Sequence, residues 1–272
     1  MGFRTTLASV ARELTFATYL APSIRPAYEL VVREVAGRLG VTARLVTGRY
    51  LAQVRGEELD FAFVCGLPYV RLHGEEPRVE ALAAPVLVGE RYHDRPVYFS
   101  DVVVRHDSPY ETFGDLRGAT WAYNEPDSHS GYLVTLYRLC TIGERGEFFG
   151  ATVMTGFHQE SLRRVAAGEV DASAIDSQVL AVALVEDPEL AGKIRVIDTL
   201  GPSTIQPLVA TPRADDNLRR EVAAAVTTLT AAGDESGTLA HTAIDRWVAV
   251  EDGRYDDIRA MLAEVEAAGL SF

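Results

Sequence analysis

The sequence predicts an α/β protein of two lobes, each a mostly parallel sheet flanked by helices, joined by a two-strand hinge. Strand-like and helix-like stretches alternate along the chain, the pattern of parallel sheets covered by helices. A short pattern also occurs twice. Leu51-Ala52-Gln53-Val54-Arg55-Gly56-Glu57 runs to Asp60-Phe61-Ala62, and Leu162-Arg163-Arg164-Val165 runs to Gly168-Glu169-Val170-Asp171-Ala172. Each copy is a helix, a Gly-Glu stop, an aspartate and a strand, one copy per lobe, with chance as the competing explanation for so short a match. Finally, 272 residues suit two domains at roughly 150 residues each, yet no Pro/Gly/Ser-rich linker separates the halves. Strands must then make the crossing, with 98–106 and 203–211 the best candidates. Lobe one is expected to be discontinuous, 1–104 plus 208–272, and lobe two to be 105–207.

In order, 14–17 is a strand, and 18–26 is a loop with Pro22 and Pro26. Apolar residues at Leu30, Val31, Val35 and Leu39 make 27–39 a helix that Gly40 ends. A strand at 41–46, a turn at 47–50, a short helix at 51–55 and a strand at 59–64 follow. Residues 86–89 and 97–104 are further strands, and Asp115-Leu116-Arg117-Gly118 is a turn. Past a strand at Trp121 come a helix through Leu133, Leu136 and Leu139, a strand at 152–155, a loop at 156–159 and a helix at 160–167. The strand 170–175, the helix 177–185 and the strand 194–200 follow, and an apolar extended run at 205–211 leads back toward the first lobe. Residues 214–232 and 255–268 are amphipathic helices.

One stretch concentrates the chemistry: Trp121-Ala122-Tyr123-Asn124-Glu125-Pro126-Asp127-Ser128-His129-Ser130-Gly131-Tyr132. Asn124, Pro126 and Asp127 are turn residues, and Ser128 or Ser130 can cap the helix that follows. A helix start offers unpaired N–H groups and the positive end of the dipole. With hydroxyls, an imidazole and a glycine beside it, that start can seat a small oxyanion. An ordinary cap without a ligand is the alternative.

The net charge of −13 disfavours nucleic acid and anionic membranes as partners, though N–H groups can hold a small anion inside an acidic protein. Cys65 and Cys140 are the only cysteines and read as buried free thiols. The first thirteen residues show no apolar signal segment, so either the chain is cytoplasmic or a signal was removed; the Gly2/Thr6 fit to a myristoylation pattern is read as chance. No apolar run is long enough for a transmembrane helix. Catalytic signatures are absent: Ser130 lacks the glycine two positions before it that a nucleophile elbow needs. No zinc spacing, Walker loop or dinucleotide fingerprint appears, so no metal or cofactor is expected. The pairs Glu57–Glu58 and Asp215–Asp216 are read as solvated.

The chain resembles the phosphate/phosphonate-binding family of ABC-transporter solute-binding proteins, of the type II periplasmic-binding fold. The resemblance rests on Tyr98 through Ser108, on Asp115-Leu116-Arg117-Gly118 and on Asn124 through Tyr132. Gly156-Phe157-His158-Gln159-Glu160-Ser161, Gly168 through Ala172 and Tyr50 through Phe63 extend it. It implies a small phosphorus oxyanion between the lobes, delivery to an ABC permease, and a periplasmic or cell-surface location. Ser128, His129, Ser130 and His158 would donate hydrogen bonds from lobe two. Tyr50 and Tyr98 would close over the phosphoryl group. Asp176 would accept from a protonated phosphoryl oxygen or orient a donor. From the residues alone, Tyr50 and Tyr98 suit packing, His129 a solvent-facing turn, His158 a loop and Asp176 a cap. Tyr19 suits the cleft or the surface, while Asp60 and Asp171 suit structural roles at strand starts.

The family usually shows Thr at the position of His129. The positions nearest to the carboxylates that hold an ammonium group in aminophosphonate binders are the neutral Gln178 and Gln206. That favours phosphate, phosphite or a plain alkyl phosphonate. The competing function classes are a cytoplasmic enzyme on the same fold, such as one acting on menaquinone or thiamine precursors, and a ligand sensor.

Overall fold

The structure, a computed structural model, describes residues 13–144 and 147–272. The amino-terminal segment examined for a signal and for the myristoylation pattern lies outside the described residues. The elements run β1 (Glu13–Thr18), α1 (Arg25–Leu39), β2 (Thr42–Thr47), β3 (Phe61–Phe63), α2 (Gly66–Glu75), β4 (Glu80–Leu87) and β5 (Val97–Arg105). Then come β6 (Thr120–Tyr123), a π turn (His129–Leu133) continuing into α3 (Val134–Thr141), β7 (Ala151–Met154), α4 (His158–Ala167) and β8 (Ala172–Asp176). Next are α5 (Ser177–Glu186), β9 (Ile194–Thr204), β10 (Leu208–Ala210), α6 (Asp216–Val226), α7 (Thr238–His241), β11 (Ile244–Ala249) and α8 (Asp256–Ala268).

Two sheets form, with strand orders β11-β4-β10-β3-β1-β2 and β7-β6-β8-β5-β9. In each, three strands are parallel, β2-β1-β3 in the first and β7-β6-β8 in the second. The remaining pairings are antiparallel, so the expected parallel character holds for these trios and the full sheets are mixed. Each sheet takes in a strand arriving from the other side: β10 inserts between β3 and β4, and β5 between β8 and β9.

This places β5 differently from expectation. Residues 97–104 were assigned to lobe one, but the whole strand pairs with β8 and β9 in the second sheet. Its apolar run is buried on both faces, a pattern that suits a central strand of either sheet. The chain therefore crosses at 88–96 rather than 98–106, and returns at 205–207. The two crossings touch, since Ile205 N donates to Pro96 O at 3.1 Å.

The repeated sequence pattern occupies equivalent places. Asp60 precedes β3 and accepts from Thr15 N in β1 at 2.9 Å; Asp171 precedes β8 and accepts from Thr120 N in β6 at 2.7 Å. Both aspartates thus tie the start of the third strand to the first strand of their sheet, and Asp60 also pairs with Arg213. The first copy's helix is a 3-10 turn, Leu51–Arg55.

Helix α1 buries Ala27, Tyr28, Leu30, Val31, Val32 and Val35 against the first sheet and stops at Gly40, whose φ of +64° suits glycine. Phe16, Phe61, Phe63, Tyr28 and Trp247 form one aromatic core there. Trp121, Phe113, Phe148 and Phe149 form a second core beside β6. Helix α6 ends at Val226, short of the expected 232, where Thr227 and Thr228 turn their hydroxyls back to Ala223 and Ala225 carbonyls. Helix α8 was assigned to lobe one but packs on both α2 and α3. Beyond it Phe272 stacks among Tyr123, Tyr132 and Phe149 of the second lobe.

Candidate ligand-binding site

The carboxyl ends of the parallel strands of both sheets point at one crevice. The chain leaves β1 at Tyr19, β3 at Cys65, β6 at Asn124, β7 at Gly156 and β8 at Asp176, and all of these line a chamber between the lobes. Crevices at such strand ends are where α/β sheets bind ligands. The chamber has about 50 Å3 open to water centres, room for roughly three or four waters or one small tetrahedral oxyanion.

Helix starts converge on it. The N-cap residues are Cys65 for α2, Ser128 for the π turn and α3, Phe157 for α4 and Asp176 for α5. Each start carries the positive end of a helix dipole and N–H groups without intrahelical partners. Those partial positive charges face the chamber although, among the described residues, no lysine or arginine lines it, and they stand beside the carboxyl groups of Glu125 and Asp176.

Ser128 is both a cap and a wall residue. Its Oγ accepts from Gly131 N at 3.0 Å, which leaves its O–H free to donate into the chamber. The π turn shows in bonds to the fifth residue back: Leu133 N donates to Ser128 O at 3.1 Å and Val134 N to His129 O. Such wide turns recur at functional sites. The Oγ of Ser130 lies 2.9 Å from His158 Nε2, while His158 Nδ1 is buried without a partner among the described residues. Burial holds His158 down to about 4, so the imidazole is neutral. With the proton on Nε2, His158 donates to Ser130, whose O–H then points onward to a ligand.

Asp176 is buried; its Oδ1 caps α5 by accepting from Gln178 N at 2.8 Å and Val179 N at 3.2 Å. Its Oδ2 accepts from Gln206 Nε2 at 2.5 Å. Burial pushes this carboxyl up to about 6, against the lowering effect of those donors. The amide nitrogen of Gln178 is spent on Thr242 O at 2.8 Å.

The other three expected ligand residues lie elsewhere. Tyr98, at 1% exposure, is in the core beneath the π turn; its hydroxyl sits beside Ser130 without a well-formed hydrogen bond. His129 is fully buried against it, with ring centroids 6.1 Å apart, and both imidazole nitrogens lack partners among the described residues. Its ring does not line the chamber, and burial drives it down to about 3. Only its backbone N–H reaches the site, donating to Cys65 Sγ at 3.4 Å. Tyr50 is 73% exposed at the cleft mouth, where its carbonyl accepts from Tyr19 Oη.

The structure adds residues that sequence reasoning did not assign. Cys65 presents its thiol to the chamber, pushed up to about 11 by burial and therefore protonated. Asn124, read only as a turn residue, is buried on the wall, and its Oδ1 has no partner among the described residues. Gly131 is needed for close approach: a Cβ there would lie 1.9 Å from Asn124 Oδ1. Among the described residues no three His, Cys, Asp or Glu side chains gather to hold a metal. No described helix is long and apolar enough to cross a membrane.

A family model for the periplasmic substrate-binding protein of phosphonate ABC transporters matches residues 15–255. The chain belongs to this phosphonate-binding family. The family's members are periplasmic transporter components rather than enzymes. The binding component of an ABC phosphonate transporter from Pseudomonas aeruginosa superposes with TM-score 0.81 at 17% identity, covering 95% of this chain and 88% of its own. A Prochlorococcus marinus protein solved with methylphosphonate gives 0.80 at 17% identity, covering 93% and 98%. The aliphatic sulphonate binding protein of Escherichia coli gives 0.60 at 14%, covering 94% and 86%. These likenesses establish the type II periplasmic-binding fold. No curated protein matches the sequence significantly.

Proposed function

We propose that the chamber captures a small phosphorus oxyanion, methylphosphonate or phosphite above all, and presents it to a membrane permease. The observation that carries this is the convergence of the α2, α3, α4 and α5 starts on a space of about 50 Å3. The O–H groups of Ser128 and Ser130 and the first-turn N–H groups donate to the ionised oxygens. Such charge-assisted bonds are worth about 1.5–3 kcal/mol each. His158 orients Ser130. Asp176 accepts from a phosphoryl oxygen that keeps its proton, and Gln206 steadies the carboxylate.

This arrangement disfavours ligands without a proton to give. A sulphate or sulphonate at neutral pH would set an oxygen lone pair against Asp176, an unpaired contact of the kind that rejects analogues strongly. The Prochlorococcus marinus relative's methylphosphonate supports the same size class. Neutral Gln178 and Gln206 beside the chamber favour a plain alkyl group over an ammonium-bearing one.

The test is titration calorimetry with methylphosphonate, phosphite, phosphate and sulphate on wild type and Ser130→Ala. Binding of the phosphorus oxyanions, at least a hundredfold weaker sulphate, and a tenfold or greater loss in Ser130→Ala are expected. Silence with every phosphorus oxyanion overturns the proposal.

A further inference from the structure

The chamber opens outward into a second cavity of about 510 Å3, ten times larger. Tyr19, Leu20, Cys65, Glu125 and Phe157 line both, so the two spaces are continuous. The outer wall is largely apolar, with Pro22, Leu51 and Pro68 alongside Tyr50 and Phe157. Those two aromatics are the notable features. Tyr50, on the first lobe, is 73% exposed, and Phe157, on the second, is 56% exposed. Large exposed aromatics on one concave wall mark binding surfaces more often than chance exposure does.

The charges along this wall narrow the occupant further. Asp127 is engaged by Arg71, and Arg25 by Glu29, Thr47 and the Leu45 carbonyl. Burial, and then the neighbouring Asp127, raise the pKa of Glu125. Arg49 also lines the wall, so Glu125 and Arg49 set opposite charges there, and the wall as a whole favours neither an anionic nor a cationic tail. Apart from these charges and Thr18 and Thr47, the lining is mostly apolar and aromatic.

Resting on the reading above, we propose that this outer cavity is a tail subsite: the protein accepts phosphonates whose phosphorus carries a flat, uncharged organic group, with the head in the inner chamber and the group between Tyr50 and Phe157. The inner chamber is too small for anything beyond the head group. The protein then selects its ligand twice, by oxyanion chemistry inside and by apolar surface at the mouth.

Titration calorimetry with methylphosphonate, benzylphosphonate and 2-aminoethylphosphonate tests it, on wild type and Phe157→Ala. Benzylphosphonate is expected to bind about tenfold tighter than methylphosphonate, the scale of one partly buried ring. Phe157→Ala is expected to cut that preference at least threefold. Benzylphosphonate failing to bind while methylphosphonate binds overturns the tail subsite and leaves the inner chamber's role intact. A preference for 2-aminoethylphosphonate over benzylphosphonate overturns it too, since the mouth would then read charge through Glu125. An unchanged preference in Phe157→Ala removes the aromatic wall from the account. If no phosphonate binds at all, the oxyanion reading beneath it falls as well.

Discussion

Gly131 and Asn124 meet on the chamber wall at a distance only glycine permits. A methyl group at 131 would lie 1.9 Å from Asn124 Oδ1 and 3.3 Å from His158 Cε1. Asn124 is short, so it cannot swing away as a long flexible chain would, and the π turn or the Asn124 loop must shift instead. Overpacking of this kind costs about 1–3 kcal/mol, and it falls where Ser128, Ser130 and His158 are aligned. Gly131→Ala is therefore expected to lower the urea midpoint and to weaken methylphosphonate binding by more than tenfold. Asn124→Ala removes the clashing atoms. Placed on top of Gly131→Ala, it is expected to return at least half of the lost stability, a non-additivity that contact predicts and independence does not. Strictly additive losses in the double variant would show that some other contact excludes a side chain at 131.

Elements carry the next level of the argument, because closure depends on which helix starts touch across the cleft. Gln159, in the first turn of α4, donates from Nε2 to Ser23 Oγ at 2.8 Å, in the 3-10 turn Pro22–Ile24 that leads into α1. Arg71 of α2 pairs with Asp127 at 2.7 Å, but both side chains are largely exposed, and such pairs contribute about 0–1 kcal/mol. The part-buried amide bond is the firmer latch. Its loss, at about 1 kcal/mol, shifts the open–closed balance roughly fivefold. Gln159→Ala is expected to weaken methylphosphonate binding by about that factor, through a faster off-rate, with the unfolding midpoint unmoved. An unchanged off-rate would show that the latch does not hold the closed form.

The same scale shows what was legible in the sequence. Ser128, Ser130, His158 and Asp176 line the chamber because each sits at or soon after a strand end, and strand ends face the cleft whatever the details of packing. Tyr98 and His129 lie behind the chamber wall and Tyr50 stands at its mouth, because position along the chain leaves side-chain direction open. A π turn sends His129 inward to Tyr98 while its neighbours Ser128 and Ser130 face the chamber. Helix α2 was missed because Gly66-Leu67-Pro68 looks like a turn, though proline is tolerated in a first helical turn. Strand β4 was recognised only at its end, as 86–89, because Ala81, Ala83, Ala84 and Pro85 lack strand character; pairing with β10 and β11 on either side overrides it. Strand β5 went to the wrong lobe because a run buried on both faces has no period to read.

At the scale of the whole molecule, three buried groups at one site set how stability follows pH. Burial lowers His129 to about 3 and His158 to about 4 in the folded protein, against roughly 6.5 in the unfolded chain. Each therefore contributes stability that is fully present above about pH 6.5 and is lost as pH falls, because the unfolded chain takes up protons the native state refuses. Asp176 acts in the opposite sense. Its folded value of about 6 lies above the unfolded value of roughly 3.9, so the native state gains a proton first as pH falls from about 6 to 4. Two groups against one leave about one net proton on the unfolded side, a slope near 1.4 kcal/mol per pH unit between pH 4.5 and 6. The urea midpoint of the empty protein is accordingly expected to fall steadily across that window. His129→Leu removes one of the two histidines and two unpartnered polar atoms. It is expected to flatten the slope to near zero and to leave stability at pH 7 equal or higher, since an apolar side chain in a buried unpaired site is at worst neutral. Methylphosphonate should still bind this variant, because the ring lies behind the chamber wall and only its backbone N–H faces inward. A slope that survives His129→Leu would mean the imidazole is not held neutral by burial. A lost ligand would mean that His129 reaches the anion after all, as the family resemblance implied.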